Sequence, residues 1–436
     1  MKFVFQNRVI ATMMAFTLLF SMFFTYKASA ESNTGLDIKA EAAILIEADS
    51  GKILYAKNKD QSLPVASMTK MMTEYLVHEA VAKGKIKWTQ KTQASEYAHL
   101  ISQDRSLSNV PLENGGSYTV KELYEAVAIY SANGAAIALA ELVSGSEGNF
   151  VKEMNKKAKE LGLKNSKFVN STGLTNSDLK GKHPDGTSAN EENQMSASDS
   201  ALLAQRLIKD YPDILDTAKI TKKVFQEGGK YPVQMDNWNW MLKGLVYGYE
   251  GVDGLKTGST PAAGYCFTGT AKRDNMRLIA VVIKTESYEA RFQETKKLFD
   301  YGFSGFEIKE LYKKGYQPKD KKTVAVPNGK EKEVKIETAS AIKVPVPKGE
   351  KNPYQIGYTL NKGDLKAPLK AKEQVGFLTV ASKDKQDSGF LAEKELKVPL
   401  ITTEKVEKAN WFVLTMRSIG SFFGNLWDSA IGKITG

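Results

Sequence analysis

The chain has 436 residues, 42% hydrophobic and 25% charged, a balance that excludes intrinsic disorder and leaves room for two or three domains around a large core. Lys and Arg total 61 against 50 Asp and Glu, a formal charge of +11, and the single cysteine, Cys266, excludes an internal disulfide.

Lys2 and Arg8, the apolar run Val9 to Phe24 and the small-residue stretch Ala28-Ser29-Ala30 together predict a cleaved secretory leader over residues 1–30. The apolar run is marginally short for an uncleaved anchor. In an exported chain the basic excess suits anionic lipid and anionic wall polymers better than nucleic acid, which is not expected as a partner. Residues 31–305 carry both helical and strand signals. Ala42 to Glu47, then Asp49-Ser50-Gly51-Lys52, then Ile53 to Tyr55 predicts a hairpin. Ser67 to Ala82 predicts a helix whose buried face includes Met71, Met72, Tyr75, Leu76 and Ala80. Two further helices, Val120 to Tyr130 and Ala135 to Val143, flank a break at Ser131 to Gly134. Strands are expected at Gly254 to Thr257, Gly264 to Ala271 (with Cys266 buried in it) and Arg277 to Lys284, before a helix from Glu289 to Tyr301. Strands at both ends with helices between imply one layered α/β domain whose terminal strands share a sheet.

After Gly305 the composition shifts. Residues 306–405 show a hairpin around Pro327-Asn328-Gly329 and short alternating runs at Ile342 to Val346, Tyr354 to Leu360, Gln374 to Ala381 and Leu396 to Ile401, the pattern of a small all-β domain. In the last stretch, residues 406–436, Phe412, Met416, Ile419, Phe422, Phe423, Leu426, Trp427 and Ile431 fall on one helical face. Trp411 and Trp427 suit a membrane interface, so an in-plane amphipathic anchor is expected, on the outer face of the cytoplasmic membrane. The rival reading is a C-terminal helix docked on the protein itself.

Three short segments carry the chemistry. In Ser67-Met68-Thr69-Lys70 a hydroxyl and an amine three residues apart share a helix face, pairing a nucleophile with a base. Lys70 can serve only when neutral, and burial or a second cation such as Lys256 would favour that state. Ser131-Ala132-Asn133 adds a hydroxyl and an amide, and Lys256-Thr257-Gly258 adds a cation, a hydroxyl and a residue that permits close backbone approach. Each alone is weak: Ser131-x-Asn133, for one, could equally be a helix cap. Their joint occurrence in this order is specific.

With these three segments the chain resembles the low-molecular-mass penicillin-binding proteins, the D-alanyl-D-alanine carboxypeptidases of the penicillin-binding protein 5 type. Phe168-Val169-Asn170-Ser171-Thr172-Gly173-Leu174 and the surroundings of Arg291 are also similar, and Met71-Met72-Thr73 is similar to Bacillus members. The resemblance implies an antiparallel sheet with flanking helices, a peptidoglycan stem ending in D-Ala-D-Ala as substrate, acylation by β-lactams, and no cofactor or metal. It implies that Ser67 is acylated, Lys70 is the base and Ser131 passes a proton to the leaving amine. It further implies that Asn133 orients the peptide, and that Lys256 and Thr257, assisted by Arg291, hold the terminal carboxylate. Gly258 lets the substrate approach, and the N–H groups of Ser67 and Ser259 bind the oxyanion. Ala132 departs from the Ser-Asp-Asn form of the motif at a position where a small residue suffices.

Three alternatives stand beside this reading. A serine β-lactamase would use a glutamate-activated water, for which Glu191 and Glu192 are available; a catalytically inactive wall-binding scaffold would not be labelled by penicillin. A metallopeptidase is disfavoured by the three histidines, His78, His99 and His183, which lack the required spacing.

Overall fold

The computed structural model describes residues 35–361 and 365–420. The predicted leader and residues 421–436 of the amphipathic stretch lie outside the described residues. The larger domain is built on a five-stranded sheet made of β1 (Ala42–Glu47), β2 (Ile53–Lys57), β3 (Val252–Thr260), β4 (Gly264–Arg273) and β5 (Met276–Thr285). Its order is β2-β1-β5-β4-β3 and every neighbouring pair is antiparallel. The N-terminal hairpin thus joins the C-terminal strands in one sheet, as the layered pattern predicts. The helices are α1 (Lys70–Ala82), α2 (Glu96–Ser102), α3 (Val120–Tyr130), α4 (Asn133–Ser144), α5 (Glu147–Leu161), α6 (Ala197–Asp210), α7 (Ile214–Ala218) and α8 (Tyr288–Gly305).

Successive strand residues point to opposite faces, and both faces are covered. Ala42, Ile44 and Ile46 of β1 and Ile279, Val281 and Ile283 of β5 join the core formed with α1 and its neighbours. Ala43, Leu45, Leu278, Ala280 and Val282 point the other way, onto Phe292, Leu298 and Phe299 of α8. These three α8 side chains are fully buried, each contributing about 1.5–3 kcal/mol by burial. Cys266 is likewise buried in β4, where burial pushes its thiol up to about 12.

Beyond Gly305 the chain forms a second domain. A five-stranded antiparallel sheet runs in the order Thr323–Ala325, Glu333–Thr338, Leu396–Thr402, Gln374–Ser382, Tyr354–Leu360. A strand that the sequence analysis does not single out, Phe306–Tyr312, follows α8 directly and pairs with Ile342–Pro347. The two domains are stitched by backbone: Leu391 N–H donates to Gly51 O at 2.8 Å and Ile53 N–H to Gly389 O at 3.1 Å. At this seam the buried Lys52 ammonium donates to Asp387 at 2.7 Å and to the Ile53 and Gly389 carbonyls. No helix among the described residues is long and apolar enough to cross a membrane.

Candidate active site

The sequence predicts Ser67 inside the first turn of an α-helix; the structure places it just before one. Ala66 has φ +48° and residues Ala66–Thr69 form a 3₁₀ turn that runs into α1 at Lys70. A 3₁₀ turn has three residues per turn, so side chains three apart eclipse, and Lys70 Nζ lies 3.0 Å from Ser67 Oγ. Two glycines allow this tight entry. A Cβ on Gly258 of β3 would sit 2.4 Å from Val65 O, and one on Gly173 would sit 2.1 Å from Ala66 O. Gly173 also has φ +85°, a conformation that suits glycine.

Lys70 is fully buried, and its Nζ meets three groups: Ser67 Oγ, Asn133 Oδ1 at 2.7 Å and Thr172 O at 2.5 Å. Burial and, next, the charge of Lys256 hold this amine well below the usual lysine range, against the pull of Glu74. A neutral amine has two N–H donors and one lone pair. In the neutral state the two carbonyls take both N–H donors, which leaves the lone pair for the Ser67 hydroxyl. The Phe168 to Leu174 segment earns its place here through a main-chain atom, the Thr172 carbonyl. It is held by the buried Glu147 carboxylate, which accepts from Ser171 N–H at 2.8 Å, Ser171 Oγ at 2.5 Å and Tyr97 OH at 2.8 Å.

The helix break at 131–134 works differently from a cap. Thr119 and Glu122 start α3 with a reciprocal capping box, and Ser131 ends it in the left-handed region at φ 61°. Ala132 is the N-cap of α4 and makes no side-chain cap bond, so Asn133 is the first helical residue and not a cap. The Asn133 amide is engaged by protein: Oδ1 accepts from Lys70, and Nδ2 donates to Ser108 O at 2.9 Å. Lys256 Nζ donates to Ser131 Oγ at 2.9 Å and to Thr257 O at 3.3 Å. Burial lowers the Lys256 ammonium to about 8, with Glu74 opposing and Arg291 adding to the shift.

These residues surround a cleft of about 370 Å³ lined by Ser67, Ser131, Asn133, Thr257, Gly258, Ser259 and Arg291, with Arg105, Tyr130 and Trp238 at its sides. Lys70 and Lys256 lie beneath this lining. The cation that reaches the cleft from the β3 side is Arg291, which the Ser287 N-cap of α8 sets in the helix's first turn. Arg291 is 1% exposed and its Nη1 donates to Gly258 O at 3.4 Å, while Nε and Nη2 have no hydrogen-bond partner among the described residues. Every site residue proposed from sequence is therefore in or directly under one cleft. Sequence reasoning did not single out Thr172, whose contribution is a carbonyl, or Glu74, whose only signal is its four-residue step from Lys70.

Residues 27–287 match the D-alanyl-D-alanine carboxypeptidase family, and residues 306–408 match the C-terminal domain of penicillin-binding protein 5. The chain belongs to the D-alanyl-D-alanine carboxypeptidase family. It is 38% identical over 387 residues to D-alanyl-D-alanine carboxypeptidase DacF of Bacillus subtilis (strain 168), covering 88% of this chain and 90% of that one. Among solved structures it resembles a peptidoglycan synthesis regulatory factor (PBP3) from Streptococcus pneumoniae, with TM-score 0.73 and 36% identity over 85% of this chain and 100% of the other. It also resembles penicillin-binding protein D2 from Listeria monocytogenes in the ampicillin-bound form, with TM-score 0.50 and 33% identity over 62% of this chain and 98% of that one. The two glutamates a β-lactamase reading would call on are both occupied away from the cleft lining of this carboxypeptidase. Glu192 accepts from Thr175 at 2.6 Å and Thr260 at 2.9 Å, and Glu191 pairs with Lys167.

Proposed function

We propose that this serine D-alanyl-D-alanine carboxypeptidase removes the terminal D-alanine of peptidoglycan pentapeptide stems through an acyl-enzyme on Ser67. The observation that carries the assignment is the three-way environment of Lys70 Nζ. Ser67 Oγ attacks the carbonyl between the two D-alanines as its proton passes to the Lys70 lone pair. The backbone N–H groups of Ser67 and Ser259 take the oxyanion, a contribution on the order of 3 kcal/mol per donor. The Oγ–H of Ser131 protonates the departing D-alanine amine, and the Lys256 ammonium hydrogen-bonded to Ser131 keeps that hydroxyl supplied. Water then attacks the acyl carbonyl, its proton passing through Ser131 back to Lys256 while the Lys70 ammonium returns a proton to Ser67 Oγ, which frees Ser67 and the shortened stem.

The substrate's terminal carboxylate meets Arg291 and the Thr257 hydroxyl, with Lys256 adding its charge from below. This shifts weight from Lys256 to Arg291 relative to the sequence-based expectation, because Arg291 lines the cleft and holds unpartnered donors. Asn133 uses one N–H on Ser108, and its second N–H orients the peptide. A β-lactam, which imitates the D-Ala-D-Ala end, acylates the same Ser67 oxygen. Intact mass spectrometry of the protein with penicillin is expected to show one adduct, mapping to the peptide that contains Ser67. An unlabelled but folded protein would overturn the nucleophile assignment and favour the inactive scaffold. Rapid release of hydrolysed penicillin would favour the β-lactamase.

We also propose that the protein is exported and held by its C-terminal segment on the outer face of the cytoplasmic membrane. Support comes from the described helix 411–420, where Trp411, Phe412, Met416 and Ile419 are exposed while Arg417 donates to Gly329 O at 2.7 Å and Lys330 O at 3.0 Å. A helix tied to its domain by a polar residue while its apolar ones face outward fits interfacial binding. A chain ending at Lys408 is expected to leave the membrane pellet and keep full activity on soluble peptide. Continued pelleting would sink the anchor.

A further inference from the structure

Beneath the Lys70–Lys256 pair lies a carboxyl group that the reaction above leaves idle. Glu74 follows Lys70 by four residues on α1, and His78 follows Glu74 by four, so the three share one stripe of the helix. Glu74 is 4% exposed, and its Oε1 has no hydrogen-bond partner among the described residues. The two cations acting on it are Lys256, from β3, and Lys70. Burial keeps its proton up to about 7, against both lysines.

The other helices packed against α1 are α3, α4, α5 and α6, beside the 3₁₀ turn that carries Ser67, and the titratable and charged groups near α1 are these. From α3, the buried Tyr124 hydroxyl is also unpartnered and feels the charge of Glu74, while Glu125 pairs with Lys223. The Tyr124 ring meets that of His78 at 5.0 Å, and His78 Nδ1 lies 3.7 Å from Asp213. From α4, Asn133 is bound to Lys70 and Ser108, and Glu141 accepts from Ser95. From α5, Glu147 is bound to Ser171 and Tyr97; from α6, Asp210 is bound to Tyr75 and Arg206. Glu74 is therefore the buried carboxyl that answers to both active-site lysines.

Those lysines must hold opposite states, Lys70 neutral to act as base and Lys256 charged to serve Ser131. Two amines in one dry pocket depress each other, and an ionised carboxylate beside them restores protons to both. We propose that Glu74 is a positioning residue that sets the shared charge of the Lys70–Lys256 pair and so the pH range over which Ser67 is acylated. Glu74 touches no substrate; it acts through the lysines.

This inference rests on Lys70 being the base, and the test separates the two. The second-order rate of acylation by a fluorescent penicillin is measured from pH 5 to 10 on the full-length wild type and on Glu74→Gln. Removing the negative charge lowers both lysines. Glu74 carries its charge only above about pH 7, so the alkaline limb is expected to move toward acid by about one pH unit, close to a tenfold loss there, while the acid limb and the maximum change little. Glu74→Asp, which keeps the charge, is expected to restore the wild-type position. A folded Glu74→Gln whose bell superimposes on the wild type overturns the role of Glu74 and leaves Lys70 untouched. A wild-type profile with no acid limb overturns the base assignment itself. Should Glu74→Gln not fold, Glu74→Met runs the same test.

Discussion

Ser67→Ala, Lys70→Met and the double variant are expected to lose the same amount of activity, each falling about a thousand- to ten-thousand-fold in D-alanine release. The two side chains perform one act, moving a proton from Oγ to Nζ as the carbon–oxygen bond forms. Without the hydroxyl, the amine has nothing to activate; without the amine, the hydroxyl is too weak a nucleophile. Removing the second partner then costs nothing further. Independent contributions would instead multiply, and a double variant far below either single one would break the assignment. Lys70→Met also leaves the Asn133 Oδ1 and Thr172 carbonyls without their shared donor. Thermal unfolding of each variant separates that loss of stability from the loss of chemistry.

Gly258→Ala is the second large effect, and it concerns backbone. The added methyl would lie 2.4 Å from Val65 O, 3.1 Å from Met68 N and 3.2 Å from Ser67 N, all main-chain atoms that cannot rotate away. β3 must therefore retreat from the 3₁₀ turn, carrying Lys256, Thr257 and the Ser259 N–H away from Ser67. Misplacement on the order of an ångström costs about a hundredfold in rate, and the overpacking about 1–3 kcal/mol in stability. Steady-state hydrolysis and thermal denaturation check both figures. Gly305→Ala, at the end of α8 with nothing within 4 Å, serves as the control and is expected to change neither. Near-normal turnover in Gly258→Ala would show that the strand need not approach so closely.

The side-chain chemistry of the site was legible because hydroxyls and amines have fixed identities wherever the chain carries them. Ser67, Lys70, Ser131 and Lys256 could be paired before any fold was known. The layered domain was legible for a related reason: the unbroken apolar runs Ala42 to Ile46 and Leu278 to Ile283 fit strands covered on both faces. Main-chain contributions left no such trace. Nothing in Val65-Ala66 announces a residue at φ +48°, so the turn carrying Ser67 reads as the start of the α-helix. The Thr172 carbonyl acceptor is equally silent, since every residue has a carbonyl. Phe306–Tyr312 went unrecognised as a strand because its partner, Ile342–Pro347, lies a whole hairpin downstream. Sequence records that a cation is present, not how deep it lies, so the relative reach of Lys256 and Arg291 has no signature in it.

The seam between the domains has a mechanical consequence. Gly389 to Leu391 adds itself to the exposed edge of the N-terminal hairpin, and Lys52 is clamped across the join. A hinge there would have to break main-chain pairing and strand a buried charge, so the two lobes travel as one piece. The distance from the cleft to the far end of the second domain is then a dimension of the fold, like the arm of a crane.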